Sequence, residues 1–155
     1  MRTLAIIITG FVLSISLIVP SAAQPPVPHV VTDMVASAKK QIKTIDMTGF
    51  EKVVDSQQDA KIIDVREPNE YSAGHIPEAI NIPRGVIEFK IWPHIGYPEK
   101  TDMNIKLYLY CKTGGRCALA ARSLKDLGFN KVTAVDMKFA DWQAAGHPVT
   151  EAELR

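Results

Sequence analysis

Three short runs restrict what this chain can fold into more than any other feature: Lys61–Val65 (Lys-Ile-Ile-Asp-Val), Lys106–Tyr110 (Lys-Leu-Tyr-Leu-Tyr) and Val132–Val135 (Val-Thr-Ala-Val). Each lacks Gly and Pro and is dense in β-branched or aromatic residues, the composition of a buried strand. Each is followed by a segment of helical character. After the first, a short helix begins within Arg66–Tyr71 with Pro68 in its opening turn and ends at Gly74-His75-Ile76-Pro77. After the second, a helix from about Arg116 to Leu127 presents Ala120, Leu124 and Leu127 on one face and stops at Gly128. After the third, Phe139–Ala145 is a last helix ended by Gly146. Upstream, Thr32 or Asp33 is expected to cap a helix running to Lys40, and Ile42–Ile45 reads as an edge strand. Thr48 with Glu51 has capping-box spacing, and Ala79–Ile82 reads as a brief strand closed by Pro83. Alternation of this kind predicts an α/β domain, a mainly parallel central sheet with helices on both faces.

The first 23 residues carry a different pattern. Arg2 precedes an apolar run of 16 residues, Leu4–Val19, and Pro20-Ser21-Ala22-Ala23 supplies small residues one and three places before a cut. That is the build of a secretory signal peptide cleaved after Ala23. The alternative, an uncleaved anchor, has to contend with a run shorter than the roughly 20 residues of a membrane span. The expected division is therefore 1–23 leader, 24–38 Pro-rich tether and short helix, 39–150 folded domain and 151–155 C-terminal tail. The expected location is exported, in an oxidising periplasmic compartment, with no stable membrane anchor after cleavage. Eighteen Lys plus Arg against seventeen Asp plus Glu leave a formal charge of +1, without a basic run, so nucleic acid is not an expected partner. His29, His75, His94 and His147 are scattered without ligand spacing, so neither a metal nor a cofactor is expected.

In a parallel sheet the chemistry gathers beyond the carboxyl ends of the strands, and Cys111 falls there. The strand ends at Tyr110, and Lys112-Thr113-Gly114-Gly115-Arg116 leads directly into a helix. Two adjacent glycines allow a turn whose N–H groups point inward at a positive helix end. Lys112 and Arg116 add charge, and such surroundings lower a cysteine pKa. A cysteine ending a strand can also be a small buried hydrophobe; the flanking glycines and bases favour a nucleophile. Asp64, Arg66, Glu70 and His75 resemble a catalytic set but are read as structural, with Arg66 and Glu70 forming an i,i+4 pair and His75 closing a turn.

The segment Cys111-Lys112-Thr113-Gly114-Gly115-Arg116 resembles the active-site loop of rhodanese-type sulfurtransferases, with cysteine first, glycine fourth and arginine sixth. Further matches are Ile63-Asp64-Val65-Arg66-Glu67-Pro68 with Glu70-Tyr71, Gly74-His75-Ile76-Pro77 with Ala79 and Asn81-Ile82-Pro83, and Trp142 with Gly146, Pro148 and Val149. The resemblance runs from about Lys43 to Val149. It implies a rhodanese-like domain in which Cys111 takes a sulfane sulfur from thiosulfate or a similar donor, holds it as a persulfide among the N–H groups of Lys112 to Arg116, and passes it to cyanide or a thiol. Arg116 is expected both to hold the anionic donor and to tie down the loop, with Lys112 as the exposed, donor-facing base. The partners implied are a small-molecule donor and acceptor, with an exported protein partner also open.

Three departures from the family pattern bear on the site. Asp136-Met137-Lys138 stands where many relatives carry Gly-Gly at the loop entrance, so Met137 and Lys138 are expected to narrow it or make it more basic. The stretch Val86–Asn104, with Phe89, Trp92 and Tyr97, is either a lid or partner surface, or a loop packed on the core. Cys117, where serine or a small residue is common, either resolves or cross-links Cys111 or points away from it. Two rival functions stay open. A phosphatase or arsenate reductase also uses a thiolate cradle and arginine, but the phosphatases resembling this family have five residues between them, against four here. A non-catalytic sulfane-sulfur carrier or sensor is the other.

Overall fold

The computed structural model describes residues 26–56 and 59–150; the expected leader and the C-terminal tail lie outside them. The elements in order are α1 (His29–Lys39), β1 (Lys43–Ile45), α2 (Met47–Asp55), β2 (Ala60–Asp64), α3 (Pro68–Ser72), β3 (Ile80–Asn81), α4 (Ile87–Lys90), β4 (Lys106–Tyr110), α5 (Gly115–Asp126), β5 (Val132–Val135) and α6 (Phe139–Ala144). Two 3-10 turns, Arg84–Val86 and Trp92–Ile95, flank α4. The five strands form one parallel sheet in the order β1-β5-β4-β2-β3. This is the expected α/β architecture, with β1 at an edge.

Alternation along the strands divides the core between the two faces of the sheet. Ile63, Leu107, Leu109 and Ala134 join Ala120, Ala121 and Leu124 of α5 on one side. On the other, Tyr110 and Val135 meet Phe50 of α2 and Trp142 of α6. Leu127, expected on the buried face of α5, is 41% exposed; it follows the last helical residue, where the chain turns out through Gly128 at φ 100°. The stretch 86–104 packs on the core through Ile87, Ile91 and Ile95, and α4 lies against α5. The stretch is packed on the core as the second reading expects, while Phe89 and Tyr97 stay exposed.

Two helix starts differ from expectation. Helix α1 begins at His29 behind Pro28, so Thr32 lies inside it and donates to the His29 carbonyl at 2.7 Å. Helix α2 is capped by Asp46, which accepts from the Gly49 N–H at 2.8 Å, so Thr48 is already helical. The reciprocal capping box sits instead at Glu67 and Glu70 of α3. Helix α1 lies along α5, its Ala38 fully buried, which brings an N-terminal element beside the β4–α5 junction.

Candidate active site

The loop between β4 and α5 is set by one left-handed residue. Gly114 has φ 81° and precedes the first residue of α5, a conformation that L side chains resist. A Cβ there would also fall 2.7 Å from Asp136 Oδ1. Gly115 has no such need, since a Cβ on it would make ordinary contact with Val35 at 3.6 Å. The expected contribution of both glycines thus reduces to Gly114 alone.

The turn folds the chain over the Cys111 sulfur. Cys111 is 1% exposed, and its Sγ accepts from the Cys117 N–H at 3.4 Å. The thiol is pulled down to about 6: a hydrogen bond from the Cys117 thiol is the largest cause, burial opposes it, and N–H groups of Cys117, Thr113 and Gly114 add to the lowering. The sulfur also lies at the N-terminal end of the 12-residue α5, where the helix dipole favours negative charge.

Arg116 is held by Glu70. Its Nη1 and Nη2 donate to the two carboxylate oxygens at 2.6 and 2.8 Å, with Glu67 farther off at 3.9 Å. This bond holds the Glu70 carboxyl below the usual range and raises Arg116. Of the two roles expected for Arg116, the geometry displays the tie between loop and α3. The expected Arg66–Glu70 pair does not form, because Arg66 precedes the helix and turns back to Asp64. There Nε donates to both carboxylate oxygens at 3.0 and 2.9 Å, and Nη2 donates to Oδ2 at 2.6 Å and to the Gly74 carbonyl at 2.7 Å. The guanidinium lies 4.0 Å over the Phe139 ring. His75 takes the structural place expected of it, stacked on Tyr71 at 3.7 Å and paired through its backbone with Thr150.

Around the rim, Lys112 and Thr113 are exposed. The Lys112 carbonyl accepts from the Phe139 N–H at 3.0 Å, which joins the loop to α6. A cleft of about 240 Å³ opens between Arg66, Glu70, Lys112, Phe139 and Gln143. Of the two expected entrance residues, Met137 is buried in the core, 7% exposed, and Lys138 is exposed just before Phe139 at the start of α6. Asp136 is the member of that trio against Gly114, and it pairs with Lys39 of α1 at 2.6 Å. Sequence reasoning missed this role, although an acidic residue just past a buried parallel strand stands at the functional edge of such a sheet. Cys117 points back under the loop and does not turn away; its thiol lies 3.3 Å from the Gly114 carbonyl and 3.4 Å from that of Val135. Among the described residues no three His, Cys, Asp or Glu side chains gather as a metal site requires.

A family model described as "Rhodanese-like domain" matches residues 49–145. A Saccharomyces cerevisiae protein named thiosulfate:glutathione sulfurtransferase is 31% identical over 123 residues, covering 71% of this chain and 86% of its own length. A Bacillus subtilis protein named as a candidate sulfur carrier is 36% identical over 101 residues, 65% of this chain. The match spans about half, 51%, of that Bacillus protein. Among solved structures, a Rhodopseudomonas palustris protein of unknown function, described as a possible tyrosine phosphatase, superposes with TM-score 0.66 at 27% identity. That superposition covers 83% of this chain and 100% of the other.

Proposed function

Because this chain belongs to the rhodanese-like domain family, we propose that it is a sulfurtransferase that moves a sulfane sulfur from thiosulfate or a similar donor to cyanide or a thiol through a persulfide on Cys111. The observation that carries the reading is the Cys111 sulfur itself, cradled at the start of α5 and pulled down to about 6, so that it is largely thiolate at neutral pH. In the first half-reaction the thiolate attacks the outer sulfur of thiosulfate. The sulfur–sulfur bond of the donor breaks and sulfite leaves with the electron pair. In the second, cyanide or a thiolate attacks the outer sulfur of the persulfide, and the pair returns to Cys111. N–H groups of the loop stabilise the charge at each stage, and Lys112 at the rim offers an anionic donor its first contact.

The name of the Bacillus relative favours a second reading, a carrier that accepts sulfur and surrenders it to a protein partner without turnover on small molecules. The phosphatase reading has less support. The Nη1–Nη2 edge of Arg116 is engaged by Glu70, and the loop holds four residues between Cys111 and Arg116. We propose further that Met1–Ala23 directs export to the periplasm and is removed there; the mass of the protein recovered from that compartment tests the cut after Ala23.

The function is tested by incubating the chain with thiosulfate and cyanide and following thiocyanate. Turnover that is abolished in Cys111→Ala supports the enzyme. A stable persulfide without turnover would favour the carrier, and hydrolysis of an aryl phosphate in place of thiocyanate formation would overturn both.

A further inference from the structure

At the amino end of the sheet, away from Cys111, a buried side chain has no protein partner. Among the described residues the buried polar side chains are Asp64, Arg66, His75 and Thr133. Asp64 and Arg66 bind each other, and His75 Nδ1 lies 3.1 Å from the Tyr71 carbonyl. Thr133 is 5% exposed, and its hydroxyl bonds to no other described residue. A hydroxyl so placed has to find its partner in the cleft that Thr133 lines. Strand register builds that cleft. Thr133 of β5 pairs with Lys43 of β1 on one side and with Tyr108 of β4 on the other, so the three point to one face of the sheet. Lys106 and Lys131 stand two places before Tyr108 and Thr133 and reach the same face. These five, with Asn130, line a cleft of about 260 Å³. No carboxylate lines it among the described residues. Lys43, Lys106 and Lys131 are exposed, and none forms an ion pair with a described residue.

We propose that this cleft is a second anion site, separate from Cys111, which holds a fully ionised tetrahedral oxyanion of the sulfate and thiosulfate class between the Lys43, Lys106 and Lys131 ammonium groups and the Thr133 hydroxyl. Neighbouring strands are about 4.8 Å apart, so long side chains from β1, β5 and β4 converge on a single ion. Three ammonium groups more than match a dianion. Charge by itself draws any anion, whereas the hydroxyl beneath the lysines donates to one oxygen of an ion seated in the cleft, a bond strengthened by the charge of its acceptor. The lack of a carboxylate narrows the class further. Hydrogen phosphate carries a proton that calls for an acceptor, and an ionised carboxylate is the side chain that only accepts. Sulfate and thiosulfate carry no such proton. The distance from the catalytic loop is large: β4 runs from Lys106 to Tyr110 with Cys111 next, which at roughly 3.3 Å per residue is about 16 Å. The cleft takes an anion of the class that the reaction proposed for Cys111 consumes, but no cysteine lines it, so it binds without chemistry.

Sulfate is the probe, because it has no sulfane sulfur to give to Cys111, and the test therefore stands or falls apart from sulfur transfer. The nitrogen-15 labelled chain is titrated with sodium sulfate against sodium chloride at equal ionic strength, and its backbone amide resonances are followed. The expected result is a saturable shift at Lys106–Tyr108 and Asn130–Thr133. Lys131→Gln should weaken binding about two- to fivefold, while Lys90→Gln, which removes an exposed charge from α4, should leave it unchanged. Thr133→Val keeps the shape of the side chain without its hydroxyl and should weaken binding about tenfold. Should the valine chain not fold by circular dichroism, Thr133→Ala and Thr133→Ser give the same contrast, with affinity lost in the first and kept in the second. Hydrogen phosphate should bind more weakly than sulfate. Equal affinity with and without the Thr133 hydroxyl would reduce the cleft to a patch of surface charge and overturn the proposal. Shifts confined to Cys111–Cys117, or tighter binding of hydrogen phosphate, would overturn it as well.

Discussion

Gly114 and Gly115 are neighbours in the loop, and replacing each with alanine should separate them sharply. At Gly114 the backbone is left-handed, φ 81°, which costs an L residue about 1–2 kcal/mol. The new Cβ would fall 2.7 Å from Asp136 Oδ1. That oxygen belongs to a half-exposed side chain and can swing aside, giving up its bond to Lys39, an exposed pair worth about 0–1 kcal/mol. Alanine also stiffens the unfolded chain, which returns about 0.4–1 kcal/mol. The net expectation for Gly114→Ala is a loss of about 1–2 kcal/mol. At Gly115 the Cβ meets only Val35 at 3.6 Å, so Gly115→Ala should fall within about 0.5 kcal/mol of wild type or be more stable, since alanine suits a helix better than glycine. Urea unfolding measures both, and alkylation of Cys111 reports the loop, which should slow in Gly114→Ala and not in Gly115→Ala. Equal losses, or a larger loss at Gly115, would refute the assignment of the turn to Gly114.

Other expectations follow from the ion pairs. Asp64→Ala leaves the Arg66 guanidinium buried, 4% exposed, without its partner, and should cost about 3–5 kcal/mol in urea unfolding. Glu70→Gln should cost about 1 kcal/mol or less, because the pair with Arg116 is partly exposed. Its clearest effect should be a raised KM for thiosulfate as the loop loosens, with kcat less affected. The same pair sets an acid limb. The folded Glu70 carboxyl is lowered by Arg116, so its stabilisation is complete above the ordinary unfolded value of about 4.3 and is lost as pH falls through the lowered folded value; unfolding midpoints followed downward from pH 5 should show a smaller decline in Glu70→Gln than in wild type.

What the sequence discloses and what it hides divide along the range of the interactions. Lys106–Tyr110 and Val132–Val135 are found with their expected bounds, because density of β-branched and aromatic side chains is a local signal that burial in a parallel sheet reinforces. The loop is likewise local: strand, cysteine, glycine, helix. The partners of Arg66 and Glu70 are not. Spacing within a helix suggested that they pair with each other, yet α3 begins only at Pro68, which frees Arg66 to reach Asp64, and the fold brings Arg116 to Glu70 across 46 positions. Asp136 beside Gly114 depends on β5 pairing with β4, and Lys39 beside Asp136 on α1 lying along α5. Helix starts fail for a subtler reason: Asp46 and Thr48 are both competent caps, and the choice between them rests on where β1 must end to pair with β5.

The most direct test of the account is the mass of the chain after brief exposure to thiosulfate and removal of excess reagent. A gain of one sulfur atom is expected, mapped to Cys111, absent in Cys111→Ala and discharged by cyanide. No gain in mass, or a sulfur found on Cys117, would contradict it.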